Sequence, residues 1–124
     1  AHPVGAAAVV ACLSETQRLD TKTNAVARGT QLYEGILNLQ KKYDVIGDVR
    51  GGQGLMTGVE IVSDRASKTP MDMPTMKRIH QATYEAGAMV RLGMHNILMS
   101  PPLVITEAEV DRIISALDAG LAAI

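Results

Sequence analysis

Arg91 stands out chemically. Between Glu85 and Glu107 it is the only Asp, Glu, Lys or Arg, set in the run Ala88-Met89-Val90-Arg91-Leu92. A guanidinium keeps its charge at any physiological pH, so on a partly buried strand it must meet an anion, and its planar fork matches a carboxylate. That anion is either an internal acid or a ligand; an exposed sheet edge is the remaining reading. Glu60 is the mirror case, a lone acid in an apolar strand, read as the internal partner of Arg91 or as a solvent-facing residue. Arg50 closes a strand before a glycine turn and is read as bracing that turn or an interface.

Other reactive groupings are weaker. Gly52-x-Gly54-x-x-x-Gly58 misses the dinucleotide fingerprint by one residue and runs into a strand-like stretch, so it reads as a β-turn rather than a phosphate loop. His2, His80 and His95 lie far apart, with no ligand pair at i, i+4, and Met71, Met73 and Met76 read as gap-filling or loop residues, so no metal site is expected. Cys12, between Ala11 and Leu13, reads as a small buried hydrophobe rather than a nucleophile. No G-x-S-x-G turn is present.

These residues need elements to hold them. Pro3 suits a first helical turn, and Val4 to Leu19 reads as a helix with small apolar residues on two strips. The polar break Asp20 to Asn24 leads into a second helix, ending near Tyr43, with Leu32, Ile36, Leu39 and Tyr43 on one stripe and Lys41 and Lys42 at its C-terminus. The period then changes to two, and strands over Val45–Val49 and Leu55–Val62 flank Gly51, Gly52 and Gly54. Ser63 to Met73 reads as a loop, Pro74 opens a third helix, and Gly87 ends it in a left-handed cap. Short strands follow at Ala88–Leu92 and Asn96–Met99, stopped by Pro101-Pro102. Thr106-x-x-Glu109 is a capping box, and Val110, Ile113, Ile114, Leu117 and Leu121 trace a terminal helix. The expected fold is α+β, with helices packed on a largely antiparallel sheet.

Composition narrows the function classes. The chain has 124 residues, a formal net charge of −1, 47% hydrophobic and 20% charged residues, which excludes intrinsic disorder. The absence of a cationic face argues against nucleic acid or an anionic membrane as partner. A lone Cys12 forms no internal disulfide, so a reducing, cytoplasmic location is expected. There is no Phe or Trp, and the helices are rich in alanine, so little area is buried per residue and apolar surface is expected to stay exposed along Val4 to Leu19. The opening Ala1-His2-Pro3, without Met, reads as cut from a longer chain.

Four segments taken together resemble one family. They are Ala1-His2-Pro3-Val4-Gly5-Ala6-Ala7; Gly47-Asp48-Val49-Arg50-Gly51 with Gly54-Leu55-Met56-x-Gly58-Val59-Glu60; Met89-Val90-Arg91; and Ser100-Pro101-Pro102-Leu103-Val104-Ile105-Thr106. Their order and spacing are similar to the C-terminal region of class III pyridoxal-phosphate-dependent aminotransferases, the ω-amino-acid transaminases. Two departures are Ala1 in place of the usual Gly, and Gly52-Gln53, which lengthens the glycine turn by one residue.

The resemblance implies a fold type I enzyme in which residues 3–19 and 21–43 form helices leading into a small α+β domain, 44–124, of a homodimer. It implies exchange of an amino group between an amine or ω-amino acid and a keto acid such as pyruvate or 2-oxoglutarate. The family's Schiff-base lysine motif lies upstream of His2-Pro3, and a threonine reaching the partner's cofactor phosphate falls just before Ala1, so the segment is expected to bind no pyridoxal phosphate and to carry no catalytic residue by itself. Lys22, Lys41, Lys42, Lys68 and Lys77 match no such motif. One position carries over: Arg91 falls where relatives place a mobile arginine that clamps a substrate carboxylate and swings aside for an amine without one. The rival reading is an autonomous α+β module for carboxylate binding or dimerisation, without catalysis. A variant of the first keeps the cofactor and changes the reaction, as decarboxylases and aminomutases share this architecture.

Overall fold

Three of the four helix starts are set by a local polar contact. The computed structural model describes residues 2–124. His2 caps α1 (Pro3–Arg18), its Nδ1 accepting the Gly5 N–H at 3.1 Å. Asp72 caps α3 (Met73–Glu85) by accepting the Thr75 N–H at 2.9 Å. Thr106 and Glu109 form the expected capping box of α4 (Glu107–Leu121), with Glu109 accepting the Thr106 N–H at 2.8 Å. Helix α2 (Thr21–Lys42) differs: its N-cap, Asp20, sits at φ +45° and makes no side-chain cap. Gly87, at φ +102°, follows α3 in the left-handed conformation the sequence predicts.

The strands are β1 (Ile46–Arg50), β2 (Thr57–Asp64), β3 (Thr69–Pro70), β4 (Arg91–Leu92) and β5 (Asn96–Met99). Every pairing is antiparallel, in the order β1-β2-β5-β4, with β3 added to β2. Alternation sorts the two faces. The row Val49, Val59, Ile97, Leu92 faces the core, where Leu32, Ile36 and Leu39 of α2, Met76 and Ile79 of α3, and Val110, Leu117 and Leu121 of α4 cover it. The adjacent row, Arg50, Gly58, Leu98, Arg91, therefore lies on the opposite face.

Several expectations need correction. The strand expected over Ala88–Leu92 is only Arg91–Leu92, because the residues before it are tied to α3 rather than to β5. The second strand begins at Thr57, since the Gly51–Gly54 turn and its exit take Leu55 and Met56. The expected loop Ser63–Met73 contains the end of β2 and all of β3. Cys12 is exposed, not buried, because α1 buries no residue at all. Val4, Val9, Val10 and Leu13 are likewise open, as the composition led one to expect. The difference at Ala1 lies outside the described residues.

Close packing between α3 and α4 depends on a missing side chain. A Cβ at Gly120 would overlap the Thr83 hydroxyl and come within 2.8 Å of the Ile79 carbonyl oxygen. Gly120→Ala should therefore cost roughly 1–3 kcal/mol by overpacking, despite alanine's better helix propensity of about 1 kcal/mol. At Gly58 a Cβ meets only Leu98 Cδ2 at 3.4 Å, so Gly58→Ala should shift the urea midpoint much less.

Asp118 joins the same helix to α2. Lys42 Nζ bonds its Oδ1 at 2.7 Å and the Tyr43 hydroxyl donates to the same oxygen at 2.6 Å, together holding the carboxyl below its ordinary value. A depressed folded pKa gives stabilisation that is present above the unfolded carboxylate pKa and is lost as pH falls through the folded one. Because the pair is largely solvated, the effect is small. Asp118→Asn should lower the urea midpoint near neutral pH, and the gap to the wild type should close in acid.

Candidate functional site

Arg91 occupies the edge of the sheet. Its strand is held by two register pairs, Arg91 with Leu98 and Leu92 with Ile97. The side chain is exposed, and among the described residues it forms no ion pair and no hydrogen bond. The expectation of a partly buried strand is thus corrected: with only β5 beside it, β4 leaves Arg91 open to solvent. Glu60 is not its partner. Glu60 lies in register with Asp48 and Asn96 on β2, two strand spacings from β4, or about 10 Å. Arg50 is bound to Asp48 at 2.8 Å, which braces the strand end before the glycine turn.

A cavity of about 880 Å³ opens beside Arg91, lined also by Met89, Val104, Glu109, Arg112 and Ile113. Its walls are fixed by particular contacts. Asn24 of α2 donates through Nδ2 to the carbonyls of Leu103 at 2.9 Å and Ile105 at 3.0 Å, clamping the segment after Pro101-Pro102. The capping box sets the start of α4, whose first turn carries Glu109 and whose second carries Arg112. Glu109 is held below the usual carboxylate range chiefly by the N–H and hydroxyl of Thr106, with Arg112 adding a favourable field. It is committed to the cap, so two guanidinium groups face one already engaged carboxylate. The wall suits an anion with an apolar body, such as a carboxylate on a short carbon chain.

A second cavity, of about 980 Å³, lies over the open sheet face beside the glycine turn. It brings together Asp48, Arg50, Glu60 and His95, two carboxylates against one guanidinium and an imidazole. The Gly51–Gly54 turn that borders it is a plain turn into β2, with positive φ at Gly51, Gly52 and Gly54 and no helix to aim at a phosphate. A Cβ at Gly29 would overlap the Gly54 carbonyl, so the turn sits directly on α2.

The residues present do not form a pyridoxal phosphate site by themselves. Lys22, Lys41, Lys42, Lys68 and Lys77 are all exposed and none lines either cavity. Lys42 is engaged by Asp118 and Lys41 by Asn38. No amine is thus placed for a Schiff base next to Arg91. Among the described residues no cluster of His, Cys, Asp and Glu could hold a metal ion, and no helix is long and apolar enough to cross a membrane.

The model of the family Aminotransferase class-III matches residues 1–121. The chain belongs to that family. It is 34% identical over 121 residues to the taurine–pyruvate aminotransferase of Bilophila wadsworthia, covering 92% of this chain and 26% of that protein. It is 36% identical over 120 residues to alanine–glyoxylate aminotransferase 2 homolog 2, mitochondrial, of Arabidopsis thaliana, covering 94% and 25%. An amine transaminase from an uncultivated Pseudomonas species, solved in its PLP-bound internal aldimine form, superposes with a TM-score of 0.91 at 37% identity, over 98% of this chain and 28% of that one. The chain spans about a quarter of the length of these class III relatives. Membership supports the α+β segment of a larger enzyme and does not favour the autonomous module.

Sequence reading found neither Glu109 and Arg112 as parts of the cavity wall nor Asn24 as the clamp on the segment beside it. For Glu109 and Arg112 a signal existed: the stripe Val110, Ile113, Ile114, Leu117 leaves 109 and 112 on its flank. Asn24 carried none, because its two acceptors lie about eighty positions away. Asn24→Ala should release two carbonyls and speed amide exchange at Ile105 by roughly tenfold, read by hydrogen–deuterium exchange.

Proposed function

We propose that this chain is the C-terminal region of a pyridoxal-phosphate-dependent aminotransferase that moves an amino group between an amine or ω-amino acid and a keto acid, acting as a cytoplasmic homodimer. Bound pyridoxal phosphate would supply an electron sink for the carbon that loses its proton. In this reading the groups that hold it belong to the rest of the enzyme, and this chain contributes one wall of the substrate pocket. The uncovered apolar strip of α1 fits packing on the cofactor domain, since a helix with Val4, Val9, Val10 and Leu13 exposed gains little alone.

The observation that carries the proposal is the unpaired guanidinium of Arg91 at the mouth of an apolar-walled cavity, in a class III chain. A fork free of internal acids can bind a substrate carboxylate with two parallel N–H···O bonds and can swing out over the sheet edge when the substrate has none. Its exposed place on a two-residue edge strand supports this reading.

In the full-length enzyme, Arg91→Ala should raise the KM for the keto-acid acceptor by roughly 10- to 100-fold, with a much smaller change for a carboxylate-free amine. Steady-state kinetics with both substrates varied checks this. Equal changes for both would remove Arg91 from the carboxylate site.

A further inference from the structure

We infer that His80 is a positioning residue for Arg91. The inference rests on Arg91 as the carboxylate grip and assigns the part that aims it. His80, half-buried on α3, places Nε2 3.0 Å from the carbonyl oxygen of Val90, the residue immediately before Arg91. A carbonyl only accepts, so Nε2 carries the hydrogen and donates. The Val90 carbonyl and the Arg91 N–H share one rigid peptide plane. Fixing the oxygen fixes that plane, and with it the direction in which the Arg91 side chain leaves the strand.

Little else holds this plane in place. Strand β4 pairs with β5 through two residues and has no strand on its other side. Upstream, the segment from Gly87 is tied to α3 by the Ala88 N–H, which donates to the Thr83 carbonyl at 3.2 Å. His80 supplies the second tie, one residue from the functional side chain. Helix α3 is a firm base for both: Met76 and Ile79 are fully buried, and Gly120 of α4 packs against the Ile79 carbonyl and Thr83. His80 thus couples the core to an otherwise loosely held arginine, without touching the cavity whose lining includes Val90 and Arg91.

The test uses the full-length holoenzyme and a pair of substitutions of similar polarity. In His80→Gln the side-chain amide N–H can take the place of Nε2–H; in His80→Asn the donor is drawn back out of reach. His80→Asn should raise the KM for the keto acid roughly 3- to 10-fold, with kcat and the KM for a carboxylate-free amine little changed, and His80→Gln should restore it. Adding His80→Asn to Arg91→Ala should then produce no further rise, since the residue being aimed is gone. If Arg91→Ala raises the acceptor KM but His80→Asn does not, or moves both substrates alike, the positioning role is overturned while the carboxylate grip stands. If Arg91→Ala leaves the acceptor KM unchanged, the grip itself fails and the role of His80 fails with it.

Discussion

A guanidinium cannot be neutralised by its surroundings as a carboxyl, an imidazole or an amine can, so wherever the fold puts Arg91 it must offer that charge to water or to an anion. The structure meets this constraint by placing Arg91 on a sheet edge with no acid of its own beside it. Among the described residues the carboxylates that might pair with it are committed or distant: Asp48 binds Arg50, Glu109 closes the cap of α4, and Glu60 lies two strands away. The charge is thereby reserved. An internal partner would have made the same strand more self-sufficient and less able to bind anything.

The rest of the molecule keeps that exposed cation in a defined place. The two rows of the sheet divide the work: one row, from Val49 to Leu92, is buried under three helices, and the next, from Arg50 to Arg91, faces away. On the buried side, close backbone approaches accompany a core of aliphatic and methionine side chains. With no Phe or Trp in the chain, glycine contacts such as Gly120 on α3 and Gly29 on the β-turn bring elements near enough for isoleucine, leucine, valine and methionine to fill the space between them. Glycines are thus the means by which α4 sits close to α3 and the glycine turn close to α2.

How much of this could be read from the residues depended on sequence distance. Helices and their caps are local, and the capping box at Thr106, the stripe of α2 and the left-handed Gly87 appeared where the spacing put them. Edge strands are not local. Ala88, Met89 and Val90 have strand-like composition, but whether they join the ladder is decided by contacts with α3 that no periodicity reports. Cys12 was misread for the same reason, since an apolar helical stripe reveals which face could be covered and not whether anything covers it. At the site, the isolation of Arg91 was visible as a gap in the charge pattern, whereas the clamp by Asn24 bridges too many residues to be anticipated.

Helix α1 has a consequence for how the chain tolerates change. It buries none of its residues and joins α2 through Leu19 and a left-handed Asp20. Its alanines favour helix without neighbours, but nothing in its interior shares the cooperative unit formed by the sheet and the other three helices. Substitutions along α1 are therefore silent toward unfolding of that unit. Selection on this helix would act through whatever surface it meets, leaving it free to drift in step with that surface while the remainder stays fixed.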